Sequence, residues 1–197
     1  MALMVPLVFP HDLRRRPKLA GEALVFAALQ AALDDEWRVF YDRPIPRSRR
    51  RVDFIVANPR RGLLAIEVKG GMVHDKRGAF RQLISKTGQR KRIDPFGQLK
   101  LGLRDLFAAA NLALDADVLS ETGKQGAWSA VPVHQAIWFP EMGQGGLRWQ
   151  ATPHILTLEI LDVTRLHGIV ATCLHDELTP EQSAIVVQLM MVLSRGI

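Results

Sequence analysis

The stretch LLAIEVKGG, Leu63 to Gly71, holds a conflict on which the reading of the whole chain turns. Leu63, Leu64, Ala65, Ile66 and Val68 predict a buried strand, yet its end carries Glu67 and Lys69. Residues two apart on a strand point the same way. A carboxylate and an ammonium are costly to bury unless they are paired or liganded. Either the two form an exposed ion pair at a strand end, or the fold has a use for both.

The preceding residues favour a use. RVDFIVA predicts a strand over Val52 to Ala57, and NPRRG between the two strands is a turn of hairpin length with Asn, Pro and Gly. Asp53 lies 14 residues before Glu67, so a hairpin brings both carboxylates to one end of a sheet. Two acids and a lysine at neighbouring strand positions suit Mg²⁺, which takes a few carboxylates and keeps waters for itself and a phosphate. Such a metal lowers the pKa of a bound water and screens phosphate charge. Lys69 can orient the attacking water or stabilise developing charge, and it relieves repulsion between the two acids.

Charge is distributed to match. The chain carries +6 overall, but Arg43 to Arg92 holds 15 Lys/Arg against 3 Asp/Glu, and the rest holds 11 against 17. A basic block of 50 residues around Glu67 and Lys69 attracts polyanions. Within it Arg47, Arg49, Arg50, Arg51, Lys76, Arg77, Arg90, Lys91 and Arg92 are the expected nucleic-acid contacts.

Lys18 to Asp35 reads as a helix with Leu24, Ala28, Ala31 and Ala32 at helical spacing and Glu22 early in it. Glu36 to Asp42 alternates as a strand, and RPIPRSRR is a basic loop. MVHDKRGAF predicts a third strand with a turn at Gly78, and QLISKTGQRKR a loop. DPFGQLKLGLRDLFAAANLAL opens a helix with Asp94 as N-cap and Pro95 at its first position, its apolar face formed by Leu99, Leu103, Leu106 and Phe107. Val131 to Pro140 is apolar enough for a central strand, and HILTLEIL for a last one. Two closing helices follow. Thr179-Pro180-Glu181-Gln182 has the pattern of a capping box. This order predicts an α/β sandwich, a central mixed sheet flanked by helices.

At 197 residues and 22.0 kDa the chain fits one domain, with core motifs in 18–140 and a C-terminal strand and helices in 153–195. One cysteine, Cys173, excludes an internal disulfide and suits core packing in a reducing cytosol. No apolar run reaches the ~18 residues of a membrane span, which predicts a soluble cytoplasmic protein with no membrane partner. The six histidines form no metal-binding pair on one helix, which disfavours zinc; His74, just past Lys69, is a candidate for the cleft wall. No Walker pattern is present.

GEALV, RVDFIV, GLLAIEVKG and DPFGQL, in this order, resemble the nuclease-related (NERD) domain of the PD-(D/E)xK nuclease superfamily. The likeness covers Gly21 to Gln98, and AIWFP extends it. It implies a restriction-endonuclease-like sandwich that hydrolyses phosphodiester bonds with Mg²⁺ or Mn²⁺, DNA being favoured over RNA, and leaves 5′-phosphates. It implies that Asp53 and Glu67 hold the metal with the backbone carbonyl of Val68, that Glu22 supports the metal site, and that Lys69 is the catalytic lysine. Gln98 would hold substrate phosphate or fix Lys69. Val52 stands where the motif's name has proline, and Gly102 where some of these nucleases have a tyrosine after the glutamine. The alternative is a binding or interaction module of a DNA repair or defence system, weakly catalytic or inactive. Family members occur alone or beside helicase-like or kinase-like regions, and the partners implied are a second copy or a larger helicase-type protein.

Overall fold

The computed structural model describes residues 1–12, 15–45, 48–76, 79–83, 88–111, 131–142, 155–156, 163–174 and 177–195. Its strands are β1 (Leu3–Val5), β2 (Arg38–Tyr41), β3 (Phe54–Asn58), β4 (Gly62–Val68), β5 (Val73–Lys76), β6 (Ala79–Leu83), β7 (Arg90–Ile93), β8 (Val133–Trp138) and β9 (Ile155–Leu156). The helices are α1 (Ala20–Ala32), α2 (Pro95–Asn111), α3 (Val163–Cys173) and α4 (Pro180–Arg195).

Six strands form one mixed sheet in the order β1-β2-β3-β4-β8-β9. The β2-β3-β4 meander is antiparallel, whereas β4, β8 and β9 run parallel, as do β1 and β2. NPRRG makes the expected hairpin: Asn58 pairs with Gly62, and the Asn58 side chain accepts the Arg60 amide at 2.9 Å. Both faces of the sheet are covered, which is why β3 and β4 are buried along their whole lengths. Alternation then divides the core. Ile55, Ala57, Leu63 and Ala65 face a cluster with Leu99, Leu103 and Leu106 of α2 and Ile185, Val186 and Leu189 of α4. Phe54, Val56, Leu64, Ile66 and Val68 face Val25, Phe26 and Leu29 of α1 and Leu166 and Val170 of α3.

A second, antiparallel sheet of β5, β6 and β7 stands beside the end of β8. Phe80 of β6 roots it there, with ring centroids 5.5 Å from Phe139 and 6.4 Å from Phe96. The expected caps are present. Asp94 Oδ1 accepts the Gly97 amide at 2.9 Å, and Thr179 and Gln182 exchange bonds between amide and side chain at 2.8 and 3.3 Å.

Three expectations need correction. Arg90 to Arg92 belong to strand β7 rather than a loop. Gln82 and Leu83, expected in the same loop, belong to β6, and Leu3 to Val5 add a strand to the edge of the main sheet. On α1, Leu24 and Ala31 face solvent, and Gly21, Val25, Phe26, Ala28, Leu29 and Ala32 are the buried face. No helix among the described residues is long and apolar enough to cross a membrane.

Candidate active site

The β3–β4 register pairs Phe54 with Ile66. One step beyond, at the open end of the hairpin, stand Asp53 and Glu67. Position parity puts both on the α2 face of the sheet, because Ile55, Ala57, Leu63 and Ala65 lie there. The two carboxylates therefore fall at neighbouring positions, and the Glu67 charge bears on Asp53. Glu67 is 6% exposed, one of two buried polar residues among those described. Burial, the Glu67 charge and the Glu22 charge push Asp53 up to about 8, against the opposing pull of the Val68 amide and Lys69. Burial raises Glu67 as well, and Lys69 counters it.

Two contacts hold the pair. Asp53 Oδ2 accepts the amide N–H of Val68 at 2.7 Å. Lys69 Nζ, nearly buried itself, donates to Glu67 Oε1. The Lys69 amide donates to the Trp138 carbonyl at 2.9 Å, toward β8. Successive strand residues alternate their peptide groups between the two edges. Val68 therefore turns its N–H and its carbonyl toward β3, where β3 has ended and Asp53 stands.

Glu22 arrives from the first turn of α1. Gly21 eases this approach: a Cβ there would lie 3.1 Å from Pro140 Cγ and 3.2 Å from the Cα of Gly70, so a larger residue would press the helix away from the end of β4 by a few tenths of an ångström. Tyr41 Oη donates to Glu22 Oε2 at 2.6 Å. Burial raises the Glu22 pKa, and the tyrosine bond opposes that rise. Tyr41 sits in an aromatic nest, its ring centroid 4.9 Å from Phe54, 5.1 Å from Phe9 and 5.9 Å from Phe26.

The backbone just past Lys69 is gripped from two sides. Glu141 Oε2 accepts the Gly71 amide at 3.0 Å, and Gln82 Nε2 donates to the Gly70 carbonyl at 2.8 Å. Tyr41, Gln82 and Glu141 were not among the residues singled out from sequence. Their partners lie 19, 12 and 70 positions away, and no local pattern marks such pairs.

Gln98 is exposed on the first turn of α2, and among the described residues no hydrogen bond joins it to Lys69. Gly102, where a tyrosine stands in some of these nucleases, fits its own neighbourhood. A Cβ there would sit 3.0 Å from both the Arg51 carbonyl oxygen and Val52 Cγ2, so α2 packs flush against the chain entering Asp53.

The basic residues divide. Arg50 Nη1 pairs with Asp105 at 2.8 Å and Arg51 Nη1 with Asp42 at 2.8 Å. Hydrogen bonds from Ser48, Arg50 and Arg104 hold the Asp105 carboxyl well below the usual carboxylate range. Arg49, Arg90, Lys91 and Arg92 are exposed. Lys76 lies on β5 with its side chain outside the description, and Arg47 and Arg77 lie outside the described residues. His74 is half-buried on β5.

Among the described residues no three His, Cys, Asp or Glu side chains converge as a metal cage. The oxygen donors that stand at this strand end are those of Asp53, Glu67 and the Val68 carbonyl. The raised carboxyls are the mark of a site short of positive charge, and a hard divalent cation with water ligands, which takes deprotonated oxygen donors, would fit it.

The family model for the nuclease-related domain (NERD) matches residues 17–139. No curated protein and no solved structure matches the chain.

Proposed function

The chain belongs to the nuclease-related domain family, and on that footing we propose that it is a metal-dependent nuclease that hydrolyses phosphodiester bonds, of DNA in preference to RNA. The observation that carries the reading is the pairing of buried Glu67 with half-buried Asp53 at the end of the β3–β4 hairpin, with Lys69 bonded to Glu67. A carboxylate pair raised by burial has no structural purpose that an apolar pair would not serve better. It does have a purpose as a cation site.

Asp53, Glu67 and the Val68 carbonyl would hold Mg²⁺ or Mn²⁺, with Glu22 adding negative charge from α1. When bound, the ion supplies an acidified water and neutralises charge on the phosphate. The Asp53 bond to the Val68 amide fixes one carboxylate oxygen and leaves the other available. Lys69 is the group that can orient the attacking water or stabilise charge developing on the phosphate oxygens. Its ammonium is poised by Glu67, and its backbone by the grip of Gln82 and Glu141 on the next two residues. The basic block concentrates the polyanion around this site.

The test is incubation of the chain with single- and double-stranded DNA and RNA, with Mn²⁺ or with a chelator, beside Glu67→Ala. Cleavage that needs both the ion and Glu67 is expected. Binding without cleavage under every metal would replace the enzyme by a nucleic-acid-binding module.

A further inference from the structure

The second sheet presents two unlike faces. Its register pairs Val73 with Gln82, His74 with Arg81, and Arg81 with Arg92. Residues directly opposite in an antiparallel pair share a face. Val73, Phe80 and Ile93 turn to the core. The other face carries the row His74–Arg81–Arg92, with Arg90 two positions from Arg92 on the same strand. Arg81, Arg90 and Arg92 are exposed.

This arrangement has a cost without a structural return. Like charges directly opposite destabilise a sheet, and among the described side chains no carboxylate lies within ion-pair distance of Arg81, Arg90 or Arg92. Arg50, Arg51 and Arg104, by contrast, each have an acid in reach. Guanidiniums borne on backbone positions about 4.8 Å apart between strands and ~6.8 Å apart along one form a bed for a chain of phosphates, which arginine binds through its planar fork.

The sheet is fixed to the site. β5 begins at Val73, four residues after Lys69, and Gln82, next to Arg81 on β6, donates to the Gly70 carbonyl. We propose that the outward face of the β5–β6–β7 sheet, centred on Arg81 and Arg92, docks the sugar-phosphate backbone of a nucleic-acid strand beside the Asp53–Glu67–Lys69 site. The choice of polymer rests on the nuclease reading above; the charge pattern does not.

Binding measured without turnover separates the two. The full chain is titrated against labelled 20-mer oligonucleotides, single-stranded and duplex, of two unrelated sequences, in EDTA over a salt series, with fluorescence anisotropy as readout. Each phosphate contact contributes roughly −0.9 to the slope of log affinity against log salt on duplex and about −0.7 on single strands. The double variant Arg81→Gln with Arg92→Gln should flatten the slope by about 1.8 on duplex, or about 1.4 on single strands, and weaken both sequences alike. Lysine at both positions should restore most of the slope. Arg61→Gln, on the exposed turn at the opposite end of the β3–β4 hairpin, should leave it unchanged. If the double variant melts early, Arg81→Glu alone carries the same test. An unchanged slope in a folded variant overturns the proposal. So does a wild type that binds neither DNA nor RNA at low salt. Arg81-dependent binding with no cleavage under any metal sinks the nuclease reading and leaves this surface standing.

Discussion

Asp53 Oδ2 accepts the amide proton of Val68 at 2.7 Å, so one carboxylate of the site is held by the backbone of the strand that carries the other. The bond survives exchange of the carboxylate for an amide, because the asparagine carbonyl still accepts. Asp53→Asn should therefore keep its melting temperature and lose Mn²⁺ binding in isothermal titration, whereas Asp53→Ala should lose both the binding and some stability. Undiminished Mn²⁺ affinity in Asp53→Asn would place the ion elsewhere.

The raised carboxyls make a prediction about pH. Asp53 is pushed up to about 8, mainly by burial, and Glu67 and Glu22 are raised by burial too. In the unfolded chain such groups titrate near 3.9–4.3. The folded state therefore holds the protons more tightly. The stability this gives is fully present below about pH 4 and is lost as pH rises through the folded values, toward about 8 for Asp53. Metal-free protein should melt progressively lower from pH 5 to pH 8. Mn²⁺ should raise the melting point more at pH 8 than at pH 5, since the ion takes deprotonated ligands. Thermal melts with EDTA and with Mn²⁺ across that range decide it. A chelated protein whose melting point stays flat or climbs would show that the carboxylates are not buried together.

Much of this geometry was legible in the chain itself. Apolar runs on either side of NPRRG announce the hairpin, and a hairpin of that length must bring positions 53 and 67 together. Other features were not, for reasons that are physical. Arg-Lys-Arg over 90–92 has no apolar alternation, because both of its faces reach solvent and only Ile93 touches the core. α1 is apolar nearly all round, so Leu24 fits a helical stripe as well as Val25 does, and only the sheet beneath chooses between them. Tyr41 reads as one more aromatic strand residue. Its hydroxyl finds Glu22 because the fold sets a helix start over a strand end.

That Tyr41–Glu22 bond can be tested alone. Tyr41→Phe keeps the ring in its nest and removes the only atom that reaches the carboxylate. Hydrogen bonds to charged groups contribute roughly 1.5–3 kcal/mol, and in a chain of this size each kcal/mol corresponds to about 2–4 °C in melting temperature. The variant should melt several degrees lower. The Glu22 pKa, already raised by burial and now without its tyrosine donor, should climb further, which a carboxyl-resolved NMR titration would register. Unchanged stability and an unchanged Glu22 titration would mean that the bond contributes nothing.

Lys69→Met separates an enzyme from a binder. The substitution removes the ammonium and keeps an unbranched stem of similar bulk, although it also strips Glu67 of its partner, so the folded fraction must be checked first by melting. If Lys69 acts on the water or on the charge that develops at phosphorus, its loss should lower turnover on the order of 10²–10³. Affinity for the polymer should change little, since one charge is lost from a block that carries 15 Lys/Arg. An interaction made mainly in the transition state appears in kcat and leaves KM nearly unmoved. Single-turnover cleavage with saturating protein, beside anisotropy in EDTA, measures the two separately. Should the variant lose affinity and keep its rate, Lys69 is only the counter-ion of a buried glutamate, and the end of β4 is an ion pair without chemistry.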